Sequence, residues 1–124
     1  MGFTKNNQQV KKSAGESIIE NNSHYILDNL STAAILEQLT EECCELGQAS
    51  AKLARIYRGE NPTPTQVEDA IRNLREEFTD VMICTTILDV NIDIDVMINK
   101  LNRWKNRIES SNKKEPSKWM YGRS

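Results

Sequence analysis

Apolar residues recur at three- and four-residue intervals through most of this chain, the pattern of helices that each bury one face. The clearest stretch runs from Ser31 to Arg58, where Ile35, Leu36, Leu39, Cys43, Leu46, Ala49, Leu53 and Ile56 recur at helical spacing. Ser31 or Thr32 can cap its start, and Gly59 stops it. A second long stretch covers Gln66 to Val90, with Val67, Ala70, Ile71, Leu74, Phe78, Val81, Met82, Thr85 and Leu88 on its buried side. Between the two, Gly59–Thr65 holds Pro62 and Pro64, which cannot continue a helix, and Thr65-x-x-Glu68 reads as a capping box.

Shorter patterns flank this pair. Glu16–Asn29 predicts a helix with Ile18, Ile19, Tyr25 and Ile26 on one stripe. Ile94–Ser110 predicts another, entered through a left-handed Asn91 and an Asp93 or Asp95 cap, and burying Val96, Met97, Leu101, Trp104 and Ile108. The expected fold is all-α: a helical bundle whose centre is two long antiparallel helices. Residues 1–15 read as a flexible lead-in, 16–110 as the all-α domain and 111–124 as a polar, basic tail. Leu36, Ile83 and Ile87 lie off the main stripes, so the long helices carry spare apolar faces and the bundle is expected to be completed by oligomerisation, as a homodimer or homotetramer.

Composition agrees with a bundle, since aromatics are scarce at 6% and charged residues plentiful at 27%. The formal net charge of −2 hides a strong asymmetry. Residues 37–95 carry 5 basic against 13 acidic groups, and residues 96–124 carry 8 basic against 2 acidic. An acidic middle calls for cations and a basic end attracts anions, a combination suited to a metal–polyphosphate ligand. The same acidic middle would repel a nucleic-acid backbone, so a nucleic-acid polymer is disfavoured as partner. Three cysteines, Cys43, Cys44 and Cys84, have neither disulfide-framework nor zinc spacing and read as small buried or half-buried residues of a reducing compartment. No apolar run reaches the length of a membrane span and no signal-peptide core is evident, so the expected location is cytoplasmic, with no membrane partner.

The chemistry sits in two acidic pairs, Glu42/Glu45 and Glu77/Asp80. Residues three apart leave a helix from the same face. If the long helices fold back on each other about Pro62, helix geometry sets Glu45 opposite Glu77 and Glu42 opposite Asp80. Such spacing is common in acidic chains, but both pairs border the apolar seam, where an unpaired carboxylate is costly. A solvated, ion-paired helix edge would interleave Lys or Arg at four-residue offsets, and no basic residue lies between Gln38 and Ala51 or between Glu76 and Met97. A hard divalent cation is the natural counter-charge. Lys52 and Arg55 follow Glu45 along the same helix, and Lys100, Arg103 and Arg107 form a basic stripe on the last one, both suited to phosphate oxygens. His24 is the only histidine, reads as a surface or packing residue, and leaves a ferritin-like di-iron site without its histidine ligands.

The Glu41-Glu42-x-x-Glu45 block, the Glu77-x-x-Asp80 block and Lys100-x-x-Arg103 on a following helix resemble, in order and spacing, the MazG-like all-α nucleoside triphosphate pyrophosphatases. The resemblance spans roughly Ile35 to Arg107. It implies a Mg²⁺-dependent hydrolase, with Mn²⁺ as a substitute, that cleaves a nucleoside triphosphate between the α and β phosphates and acts in house-cleaning of non-canonical nucleotides. By that resemblance Glu42, Glu45, Glu77 and Asp80 are metal ligands, and Glu41 or Glu45 orients the attacking water. Gln38, Lys100 and Arg103 then fall at nucleotide-binding positions, to which the residue pattern adds Lys52 and Arg55. Trp104 reads as a packing residue, and nothing in the sequence identifies the base. The competing expectation is a non-enzymatic helical interaction module whose acidic groove binds a basic partner.

Overall fold

The computed structural model describes residues 12–60 and 66–114. Among these the protein is all-helical, with α1 at Ala14–Asn29, α2 at Thr32–Arg58, α3 at Val67–Ile87 and α4 at Ile94–Lys114. The chain divides into two compact units, Met1–Val90 with α1 to α3 and Asn91–Ser124 with α4.

Helix ends follow local hydrogen-bond chemistry. Ser13 caps α1 through a reciprocal pair: its Oγ accepts from the Glu16 backbone N–H at 3.2 Å, while Glu16 Oε2 accepts from the Ser13 N–H at 2.8 Å. That Ser-x-x-Glu pattern starts the helix two residues before the expected Glu16. Ser31 Oγ accepts from the Ala34 N–H at 3.1 Å and opens α2, and Gly59 closes it in a left-handed conformation with φ 68°. Arg55 and Arg58 in the last turn of α2 complement the negative end of its dipole. The predicted Thr65 capping box falls outside the described residues; α3 begins after Gln66, with Glu68 and Asp69 in its first turn.

The third helix ends at Ile87, short of the expected Val90, because the left-handed residue is Asp89 (φ 55°) and not Asn91. Asp89 N–H donates to the Thr86 carbonyl and Val90 N–H to that of Thr85, at 3.2 and 2.9 Å, which is the Schellman closure of a helix C-terminus. Asp tolerates this backbone region better than most residues. Asp93 caps α4 by accepting from the Val96 N–H at 3.0 Å, and α4 continues four residues past the expected Ser110.

Within the first unit α2 packs against α3, and α1 packs against α3. Of the predicted stripes, Ile35, Ala49 and Ala70 are buried, together with Cys84 and Ile87. Ile87, expected on a spare face, therefore belongs to the core. Cys43, Phe78 and Met82 were expected to be buried or half-buried and are exposed, as is Leu36, which was expected on a spare face. The stripe predicted for α1 is likewise largely open, with Ile18, Ile19 and Tyr25 exposed.

The correction is largest for α4: Val96, Met97, Leu101, Trp104 and Ile108 are all exposed, Trp104 at 62%, so its apolar arc is uncovered. No helix among the described residues is long and apolar enough to cross a membrane.

Replacing Gly59 by Ala should lower stability by about 1 kcal/mol, the cost of a Cβ in the left-handed region. No neighbour lies within 4 Å of that Cβ, so backbone strain alone should set the loss, read as a lower urea midpoint with an unchanged slope.

Candidate metal centre

Helix α2 contributes Gln38, Glu41, Glu42, Glu45, Lys52 and Arg55, and α3 contributes Glu77 and Asp80. Packing of α2 on α3 brings Glu42, Glu45 and Glu77 together, with one carboxylate oxygen of each within 4.8 Å of the others. Glu42 and Glu77 are half-buried and Glu45 is exposed, so the cluster opens to water on one side. Asp80 is half-buried and lies outside this three-way convergence, but its charge reaches Glu77 and the Cys84 thiol. Glu41 is exposed and stands apart from the cluster.

The crowding has an electrostatic signature. The Glu77 carboxyl is held above the ordinary glutamate range, first by partial withdrawal from water, then by the charge of Glu45, a hydrogen bond with Glu45, and the charges of Asp80 and Glu42. Among the described residues the ion pairs are Lys12–Glu20, Arg72–Asp69 and Lys105–Glu109, none of which neutralises the cluster. Its one neutral partner is Gln38, whose Nε2 donates to Glu42 Oε1 at 2.6 Å across one turn of α2. Gln38 thus holds a carboxylate, a contact that its reading as a nucleotide-binding residue did not anticipate.

Beneath the carboxylates lies Cys84. It is buried, and its thiol is pushed up by burial and by the charges of Glu42 and Asp80, which keeps it protonated. Cys43 and Cys44 are exposed, unlike their expected burial, and all three cysteines are free. Lys52 is half-buried and Arg55 exposed on α2. Lys100 and Arg103 are exposed on α4, in the second unit.

The donor set suits a hard divalent cation: three carboxylates, no imidazole and a thiol kept neutral. Oxygens bound to one Mg²⁺ at about 2.1 Å stand about 3–4 Å apart, so a spread of up to 4.8 Å needs only small rotamer adjustments to close. Mg²⁺ keeps waters and takes few protein ligands when it also binds phosphates, which fits a cluster open on one side.

Comparison with known proteins supplies no relative: no protein-family model matches this chain, and neither a curated protein nor a solved structure matches it significantly.

A raised carboxyl favours the fold only while protonated. The Glu77 contribution is therefore present at low pH and lost as pH climbs from the ordinary glutamate range through the raised value. With EDTA present, wild type should lose stability relative to Glu77→Gln across that window, read as the difference in urea midpoints. Added Mg²⁺ should raise the wild-type midpoint at neutral pH and leave that of Glu77→Gln nearly still.

Proposed function

We propose that this chain is a Mg²⁺-dependent nucleoside triphosphate pyrophosphohydrolase that converts a nucleoside triphosphate and water into the monophosphate and pyrophosphate. The observation that carries the reading is the convergence of Glu42, Glu45 and Glu77 from two helices with no cation among the described residues to neutralise them. The order of the Glu41–Glu45, Glu77–Asp80 and Lys100–Arg103 blocks, which resembles that of the MazG-like enzymes, supplies the reaction.

In this reading Glu42, Glu45, Glu77 and Asp80 hold Mg²⁺. Bound Mg²⁺ supplies Lewis-acid polarisation of the phosphate oxygens and an activated water. Gln38 fixes the direction in which Glu42 presents its oxygens. Glu41, exposed beside the cluster and not part of it, orients the attacking water or accepts its proton, with Glu45 as the other candidate. Lys52, Arg55, Lys100 and Arg103 neutralise the triphosphate and the leaving pyrophosphate. The proposed substrate class includes non-canonical nucleotides, and Mn²⁺ is expected to substitute for Mg²⁺.

We further infer that α2 and α3 run antiparallel, since an eight-residue connection from Gly59 to Gln66 is too short to return a chain for parallel packing of helices this long. A second copy is the partner assigned to the exposed apolar residues. Only five of the described residues are buried, and Phe78, Met82 and Ile83 on α3 and Leu101 and Trp104 on α4 are left open.

Two measurements decide these points. A panel of canonical and damaged nucleoside triphosphates, with and without Mg²⁺, should give Mg²⁺-dependent pyrophosphate release that falls at least about a hundredfold in Glu42→Gln and Asp80→Asn. Release that survives those changes overturns the assignment, and no release from any nucleotide favours the interaction-module reading. Light scattering at micromolar concentration should give at least a dimer mass, shifted toward monomer in Trp104→Lys.

A further inference from the structure

A cavity of about 480 Å³ opens between α1 and the C-terminal end of α3, inside the unit that carries the carboxylates. Its walls combine the apolar Ile19, Leu27 and Ile87 with the polar Ser23, His24 and Thr86. The volume falls in the range of small-molecule sites. We propose that this cavity is the nucleobase pocket of the enzyme, and that it favours bases carrying an exocyclic amino group. The proposal rests on the pyrophosphohydrolase reading and adds to it the part of the substrate that the carboxylates cannot recognise.

Placement comes first. Ile87 follows Asp80 by seven residues and Glu77, the α3 member of the carboxylate cluster, by ten, which is about 10 and about 15 Å along the axis of α3. A nucleoside triphosphate held at the cluster by its phosphates is long enough to cover that span. A triphosphate held at the carboxylates can therefore lay its nucleoside along α3 into the gap that α1 walls.

Charge fixes the direction. The cavity rim carries Glu16, Glu20 and Asp89, and no Lys or Arg lines it, although Glu20 pairs with Lys12. A lining that holds carboxylates and no cation disfavours phosphate and accepts the neutral end of a nucleotide.

Hydrogen bonding then selects among bases. Ser23 Oγ already donates to the Ile19 carbonyl and Thr86 Oγ1 to the Met82 carbonyl, each at 2.7 Å. With their protons committed, both hydroxyls offer only lone pairs to a ligand. Acceptors backed by an acidic rim match the amino groups of cytosine, adenine and guanine. They match uracil and thymine poorly, since those bases present two carbonyls flanking a single N–H. The apolar walls cover the faces of the base, and the His24 imidazole supplies an aromatic surface beside it.

His24 is the only histidine, so its Cε1–H gives one NMR line that reports on the cavity. The probes are the α,β-imido analogues of dATP, dCTP and dUTP, with inorganic tripolyphosphate as the base-free control, all with Mg²⁺ present. The line should move with the dCTP or dATP analogue and stay still with tripolyphosphate. By calorimetry the dUTP analogue should bind about tenfold more weakly than that of dCTP. Leu27→Trp, which fills the cavity, and His24→Ala, at an exposed position, should each raise KM for the preferred triphosphate about tenfold while Mn²⁺ affinity stays at the wild-type value.

A stationary His24 line while an analogue binds, or KM within about twofold of wild type in both variants, overturns the pocket. Tighter binding of the dUTP analogue overturns the amino-group selection. A moving line in a protein that turns over no nucleotide leaves the pocket standing and removes the reaction. Absence of any analogue binding removes both.

Discussion

Carboxylates held within 4.8 Å of one another by a packed pair of helices are the constraint around which this protein is arranged. Glu42, Glu45 and Glu77 repel one another, and nothing in either helix relieves that repulsion with a basic side chain. The apolar seam of α2 and α3, with Ile35, Ala49, Ala70 and Cys84 buried, must therefore do work against charge. The raised proton affinity of Glu77 is the relief the chain can supply by itself. On the proposed reading, a bound cation would remove that local cost.

The neighbours of the cluster are matched to that role. Gln38 binds Glu42 without neutralising it, so direction is fixed while charge is kept. Cys84 occupies the floor as a neutral thiol and offers no soft ligand to compete with oxygen. Further along α3, the wall shared with α1 turns from carboxylates to an apolar cavity with acceptor groups. One helix thus carries carboxylates in its middle and an apolar cavity wall toward its C-terminal end.

The parts that the sequence made legible were those governed by local rules. Ser31 and Gly59 mark the ends of α2 because caps depend on a side-chain oxygen and on a left-handed backbone. Glu42, Glu45 and Glu77 could be placed in one groove because three-residue spacing fixes a helix face. Ser13-x-x-Glu16 was equally visible as a pattern but lay in a polar stretch with no apolar run to draw attention to it. The end of α3 was misplaced because Asp and Asn both accept the left-handed region, and only tertiary context selects Asp89. Burial was the least legible property. Periodicity says which residues share a face but not whether anything covers that face, so Phe78 and the whole apolar arc of α4 came out exposed. The α1–α3 cavity was invisible for the same reason, since it arises from how α1 docks and not from any motif within it.

The bare arc of α4 bears on the order of that segment itself. A helix of 21 residues whose described side chains are all exposed draws its order from its own backbone ladder and the Asp93 cap. Helices of this length are marginal in water by themselves, because nucleation is costly and each added turn repays little. Its amide protons should therefore exchange quickly whenever Met97, Leu101 and Trp104 meet solvent and slowly once they are covered, which makes the ordering of α4 a gauge of how fully that arc is occupied.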